Sequence, residues 1–146
     1  MKAIAITPGK GNVELINVAD PVIGAPGEIK LEVLEVGICG TDREEVEGGR
    51  ADPPTNEDRL IIGHEMIGRV VDIGTGSGKF RKGDYAVFMV RRPCGHCGPC
   101  NLGRSDLCMT GDYLERGIKG LHGYQSEYVV DREEYLIRVP ENISGL

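Results

Sequence analysis

The sequence predicts a mainly β domain, a barrel or a sandwich, and three observations lead there. Short apolar runs are broken by Gly, Pro and Asp at a pace that suits strands and turns. Glycine is abundant at 22 residues, while aromatic residues make up 5% and Trp is missing. Only one stretch carries both a helix start and a helix stop. In chain order, residues 1–7 form the first predicted strand, ended by Pro8-Gly9. Val13, Leu15, Ile16 and Val18 make the second, closed by Asp20-Pro21. In the third, Ile29, Leu31 and Val33 share one face, and Leu34, Val36 and Ile38 share the other. A change of buried face midway along one strand predicts a bulge, or a strand turning a barrel corner. The helix is predicted from Asp42 to about Glu47, with Thr41 and Glu44 as a capping box and Gly48-Gly49 as the stop. A polar loop follows over residues 50–58. Strands over 67–73 and 85–90 are joined by the turn-rich GTGSGKFRKGD, and strands over 124–130 and 135–139 complete the set.

At 146 residues the chain reads as one domain, long enough to bury a core. Hydrophobic residues at 40% and charged residues at 27% exclude a disordered chain. The net charge of −6 argues against nucleic acid or an anionic membrane as partner. No apolar run approaches the roughly 18 residues that a membrane span needs. The opening MKAIAITPGK reads as a strand rather than a signal peptide. These readings place the chain in a reducing cytoplasm, where clustered cysteines bind metal or do redox work rather than pair as disulfides.

Four of the five cysteines, Cys94, Cys97, Cys100 and Cys108, are spaced C-x2-C-x2-C-x7-C. Four thiolates so close in sequence can close around one tetrahedral zinc with no open position, which defines a structural metal lobe. Arg91, Arg92 and Arg104 lie near enough in sequence to offset the formal −2 of such a site. The run Cys97-Gly98-Pro99-Cys100 also matches the thioredoxin dithiol, but that dithiol opens a helix in a βαβ setting, and no such pattern surrounds it. A ferredoxin-type iron–sulfur site would end in x3-C-P, whereas the last gap here is x7 and no Pro follows Cys108. His96 reads as an exposed loop histidine.

Cys39 stands apart, in GICGTD at the end of a predicted strand, and His64-Glu65 stand in GHE just before another. Taken singly, a lone cysteine is usually a small buried hydrophobe. Together the three offer a thiolate, an imidazole and a carboxylate, a set that suits zinc held by three protein groups with one position open.

GICGTD, GHEMIGRV, GDYAV, the four-cysteine lobe and GYQSEYVV, in that order, resemble the catalytic domain of zinc-dependent medium-chain alcohol dehydrogenases over nearly all of the chain. RRPCGHCGPC and CMTGDYLERGIKGLHGY are most similar to the glucose (aldose) dehydrogenases. The resemblance implies a GroES-like β-barrel with short helices over residues 1–146 and a structural zinc lobe at 92–111. It implies that Cys39 and His64 are catalytic zinc ligands and Glu65 a third ligand or water-mediated neighbour. Relatives often take a further ligand from just beyond the barrel strands, so Glu65 or water is left to fill in here. Thr41 takes the position of a hydroxyl that passes the substrate proton outward beside the cofactor; an N-cap is its other reading. Asp42 resembles a position near substrate and nicotinamide, and is otherwise a first-turn acid favoured by the helix dipole. Glu115 matches a carboxylate that contacts sugar hydroxyls, and is otherwise a solvated loop acid. Val90 replaces a polar side chain of similar sugar enzymes, which leaves a sugar other than glucose, or a polyol, open.

The implied activity is oxidation of a sugar or alcohol hydroxyl with zinc and NAD or NADP. A dinucleotide site needs G-x-G-x-x-G between a strand and a helix. The one candidate, Gly74-Thr75-Gly76-Ser77-Gly78, runs into KFRKGD and another strand, so it reads as a connecting loop. The chain is therefore expected to be a fragment lacking its Rossmann domain, monomeric alone, binding zinc without transferring hydride. Two alternatives are weighed against this. A quinone or enoyl reductase of the same barrel family generally lacks the zinc ligands. A non-enzymatic GroES-like scaffold or zinc-stabilised binding module has no need of a second metal site.

Overall fold

The computed structural model describes residues 1–143, so the last three residues of the expected domain edge at ENISGL lie outside it. Strands β1 (Lys2–Ile6), β2 (Val13–Asn17) and β4 (Leu60–Ile61) form one antiparallel sheet in the order β2-β1-β4. Strands β3 (Glu28–Gly37), β5 (Glu65–Ile73), β6 (Tyr85–Phe88), β10 (Tyr128–Arg132) and β11 (Leu136–Arg138) form a second, ordered β10-β3-β5-β6-β11 and antiparallel throughout. Short strands β7 (Arg91–Arg92), β8 (Leu114–Arg116) and β9 (Gly120–Leu121) make the third. Helix α1 (Gly40–Val46) follows β3, and the single turn α2 (Gly98–Asn101) lies between β7 and β8. No helix among the described residues is long and apolar enough to cross a membrane.

The expected change of face in β3 is a bulge. Its register against β5 slips between Val33 and Glu35, leaving Leu34 unpaired. Ile29 and Leu31 are fully buried, Val33 packs beside them, and beyond the slip it is Val36 that meets the core. That core also holds Met66, Val70, Phe88, Tyr124 and Val129, with the Phe88 and Tyr124 rings stacked at 5.9 Å. Truncating a side chain as buried as Leu31 to Ala costs about 2–5 kcal/mol.

The strands share out among three sheets rather than one continuous ring. Residues 124–127, predicted as part of a strand, instead stitch the first two sheets together. Tyr124 and Gln125 donate backbone N–H groups to the carbonyls of Gly63 and Ile62, and Glu127 donates to Lys2. The Gln125 carbonyl accepts from Ile4, and that of Glu127 from Val33. A segment bonded in turn to several different strands cannot keep one register, so regular pairing in β10 starts only at Tyr128.

The helix also begins earlier than predicted. Cys39, extended at φ −124°, is the N-cap; its sulfur accepts from the Thr41 N–H at 3.3 Å, and Asp42 Oδ2 accepts from the Cys39 N–H at 2.7 Å. The box is thus closed by Cys39 and Asp42, not by Thr41 and Glu44, and Glu44 faces solvent. β3 runs straight into α1 with only Ile38 and Cys39 between, so the cap falls on the first residue that can turn the chain.

Candidate metal centres

The lone cysteine and the histidine are brought together by strand pairing. β3 and β5 run antiparallel with Gly37 opposite Glu65, so residues just past Gly37 and just before Glu65 emerge at one edge. Gly63 sits at φ +91°, a conformation open mainly to glycine, and a Cβ there would meet Gln125 Cγ at 2.6 Å. This turn aims His64 inward. Cys39 Sγ lies 3.1 Å from His64 Nε2, and the ligand atoms of Cys39, His64 and Glu65 all fall within 4.8 Å of one another. Glu65 reaches over Gly37, where a Cβ would stand 2.7 Å from its Oε2. His64 is 8% exposed, Cys39 half-buried and Glu65 exposed, so the cluster has an open side. Beside it is a cavity of about 760 Å³, lined by Cys39 and Asp42 together with Ile38, Val46, Ile62 and Gln125. A soft thiolate, an imidazole and an exposed carboxylate form a donor set suited to zinc with a position left for another ligand.

Behind His64 lies a feature that the sequence reading missed. Asp42 is 4% exposed, and its Oδ1 faces His64 Nδ1 at 3.8 Å. One helical turn on, Glu45 is fully buried with no hydrogen-bond partner for either oxygen. Burial, and then the nearby Asp42 charge, push the Glu45 carboxyl up to about 8. The sequence signal was the i, i+3 spacing of Asp42 and Glu45 on one helix face; what it did not carry was that this face turns inward.

The four-cysteine lobe is built locally. Cys97 caps α2, Cys100 projects from it, and a 3-10 turn at Ser105–Leu107 delivers Cys108. All four sulfurs lie within 4.8 Å of one another, with Cys97 and Cys108 4.0 Å apart. Tetrahedral zinc with bonds of about 2.3 Å needs sulfurs roughly 3.8 Å apart, whereas a disulfide needs about 2.0 Å. The cysteines are unpaired, and their spacing fits the metal. Backbone N–H groups, led by that of His96, hold the Cys94 thiol down at about 5. The Thr110 hydroxyl lowers Cys108, while burial pushes Cys100 up to about 12. His96 stays outside the cluster; its Nδ1 meets the Cys94 carbonyl at 2.9 Å and its ring is largely exposed.

The three arginines expected to offset the lobe's charge are each engaged by a carboxylate instead. Arg104 grips Asp106 through two contacts at 2.9 and 2.7 Å. Arg92, buried under the Tyr135 ring, bonds Asp131 Oδ2 at 2.5 Å, and Arg116 shares that oxygen. Burial alone would raise Asp131, but the two guanidinium groups outweigh it and hold the carboxyl below its usual range. Arg91 bonds Glu115 Oε1 through Nε and Nη2 at 2.9 and 2.6 Å, and reaches back to the Ser105 carbonyl. Glu115 is thus no solvated loop acid. It is 7% exposed on β8 and lines a second cavity of about 430 Å³ with Arg50, Asp52, Tyr113 and Lys119.

Comparison with known proteins gives a consistent answer. The family described as "Alcohol dehydrogenase GroES-like domain" matches residues 25–141. Glucose 1-dehydrogenase of Methanocella arvoryzae is 50% identical over 145 residues, covering 98% of this chain and 40% of that protein. Glucose 1-dehydrogenase 2 of Saccharolobus solfataricus is 43% identical over 150 residues, again across 40% of its length. Among solved structures, Haloferax mediterranei glucose dehydrogenase in complex with NADP, Zn and gluconolactone superposes with a TM-score of 0.86 at 39% identity, covering 97% of this chain and 40% of that one. Galactitol-1-phosphate dehydrogenase from Escherichia coli, at 23% identity and TM-score 0.82, shares the fold. The chain spans about 40% of the length of the curated relatives it matches.

Proposed function

This chain belongs to the GroES-like domain family of zinc-dependent medium-chain alcohol dehydrogenases, and from that premise we propose that it forms the metal-binding, substrate-side domain of an enzyme that oxidises a sugar or polyol hydroxyl with NAD or NADP. The observation that carries the reading is the Cys39–His64 contact at 3.1 Å, with Glu65 beside it and a cavity at its edge. A scaffold has no use for such a cluster in addition to a tetrathiolate lobe. The dinucleotide is bound mainly by residues outside these 146, since the glycine-rich loop at 74–78 joins two strands and opens no helix.

Cys94, Cys97, Cys100 and Cys108 would hold a structural zinc, and Cys39 and His64 would hold a catalytic one, with Glu65 or water completing the set. Zinc at the second site would supply Lewis acidity to a substrate hydroxyl, and the dinucleotide would supply the hydride acceptor. The chain's own part is positioning. The Cys39 sulfur is oriented by the Thr41 N–H, and its backbone is held by Asp42. Asp42 Oδ1, facing Nδ1, orients the imidazole so that Nε2 points toward the Cys39 sulfur, where it would serve as a ligand. The half-buried Thr41 hydroxyl, two residues past Cys39, takes the substrate proton toward solvent. Both guanidinium contacts to Glu115 go to Oε1, which leaves Oε2 to accept from a sugar hydroxyl in the cavity it lines. Asp42 acts through His64, at the wall of the cavity it shares with Cys39.

The test is turnover of aldoses and polyols by the full-length enzyme, with zinc analysis alongside. Cys39→Ser is expected to abolish turnover and remove the Cys39-held metal while the tetrathiolate metal stays. Undiminished turnover in that variant sinks the proposal.

A further inference from the structure

Two cations at the cavity of about 430 Å³ are fastened to backbone carbonyls of the four-cysteine lobe. Arg91 and Glu115 stand directly opposite each other across β7 and β8, so their side chains share one face. Arg91 gives Nε and Nη2 to Glu115 Oε1, at 2.9 and 2.6 Å, and Nη1 to the Ser105 carbonyl at 3.2 Å. Its Cζ lies 4.1 Å from the centre of the Tyr113 ring. Lys119 Nζ lies 4.4 Å from the same ring and donates to the Gly111 carbonyl at 2.5 Å. Ser105 opens the 3-10 turn that delivers Cys108, and Tyr113, Glu115 and Lys119 line the cavity. Among the described residues, the Glu115 carboxylate is thus held by one guanidinium, and that guanidinium is held in turn by the lobe.

We propose that Arg91 is a positioning residue that ties substrate recognition to the fold of the four-cysteine lobe: anchored on the Ser105 carbonyl, it fixes Glu115 by Oε1 and leaves Oε2 for the substrate. The inference rests on the sugar-contacting role of Glu115 proposed above. A planar fork of N–H groups sets the plane of a carboxylate, which a single point charge cannot do. A carboxylate paired in this way is ionised and only accepts, so its partner must bring a donor. That favours a polyhydroxylated substrate over the analogue deoxygenated at the carbon that meets Oε2. A lobe that loses its turns releases the Ser105 carbonyl. Arg91 then keeps its place only through Glu115 and the Tyr113 ring, and the carboxylate loses its fixed orientation.

The experiment uses the full-length enzyme. It reads kcat and KM for an aldose beside the Kd, taken by calorimetry without oxidised cofactor so that nothing turns over. Arg91→Gln is expected to raise KM and Kd together by about 10–100-fold, the loss falling on KM rather than kcat. A merely structural role would instead lower the active fraction, and with it kcat, at an unchanged KM. Adding Arg91→Gln to Glu115→Gln is expected to cost nothing more, because both act through one carboxylate. Cys97→Ala is expected to raise Kd as well, and no further once Arg91→Gln is present. Losses that multiply overturn the coupling, as does an unchanged Kd in Arg91→Gln or in Cys97→Ala. If Arg91→Gln fails to fold, Arg91→Lys decides: it keeps the charge but cannot hold carboxylate and carbonyl in one plane. The same loss is expected there, and full affinity overturns the role of the fork. Normal binding by Glu115→Gln strikes the substrate reading of Glu115, and this inference with it. Failure of the dehydrogenase reading shows separately, as undiminished turnover in Cys39→Ser.

Discussion

The two cysteine sites reach metal-binding geometry by opposite routes. The lobe gathers four sulfurs from fifteen consecutive residues, Cys94 to Cys108, and its turns are its own. The Cys39 site draws on residues 25 apart and exists only because β3 pairs with β5 in one register. The lobe has little apolar surface to hold it without metal, whereas the other site sits on the edge of the main core. On the proposed reading, metal would be a folding partner in one place and a guest in the other. Cys97→Ala draws the contrast most sharply. Structural zinc in small domains supplies about 10–16 kcal/mol of apparent folding energy. Losing a ligand is expected to unfold residues 92–111 while the five-stranded sheet persists, visible as lost amide protection confined to the lobe. Cys39→Ser should leave lobe protection unchanged.

The joint between the regions is the next place to press. Asp131 on β10 receives Arg92, at the start of the lobe, and Arg116, at its exit. Removing one member of a buried ion pair costs about 3–5 kcal/mol, because a desolvated charge is left unpaired. Asp131→Ala strands two guanidinium groups, so a loss at the upper end of that range is expected in denaturant unfolding. The pair also sets a direction with pH. The Asp131 carboxyl is held below its usual range in the fold, so its contribution is present above the ordinary carboxylate pKa and fades as pH falls through the folded value.

How much of this was legible follows the same divide. The tetrathiolate could be read from spacing alone, because four ligands within one short segment leave the chain few other ways to arrange them. The bulge in β3 was legible because the apolar set of Ile29, Leu31 and Val33 changes parity at Val36. Cys39 and His64 could be named only together, since neither spacing nor periodicity relates residues so far apart. The arginines were misread because sequence proximity to the cysteines says nothing about Asp131 on β10 or Glu115 on β8. Glu45 was missed because a glutamate in a short helix is ordinarily solvated, and only tertiary packing shows which face α1 buries.

Asp42→Asn tests whether the open site depends on its surroundings as the lobe depends on its metal. Loss of a partner that orients a metal-bound histidine typically weakens metal affinity about 10–100-fold. The expected result is a loss of that order at the Cys39 site, with the tetrathiolate affinity unchanged, measured by competition with a chromophoric chelator. An equal loss at both sites would mean that Asp42 supports the whole domain rather than His64.

The smallest effect expected is a pH slope that belongs to one site only. Glu45 has a folded pKa of about 8 against an ordinary 4.5. The folded chain then binds the proton more tightly than the unfolded one. The sign follows: the stabilising contribution is whole below 4.5, declines as pH rises, and is gone above 8. The melting temperature of the wild type should fall across that window more than that of Glu45→Gln. The Gln side chain cannot ionise, so its slope shows what the rest of the molecule contributes. The lobe has no carboxylate among its ligands, so adding zinc to fill only the lobe should leave the difference in place. Equal slopes would mean that Glu45 is already ionised and partnered in the folded chain, and the contrast between a self-sufficient lobe and a site that holds a buried protonated carboxyl would fail at its own centre.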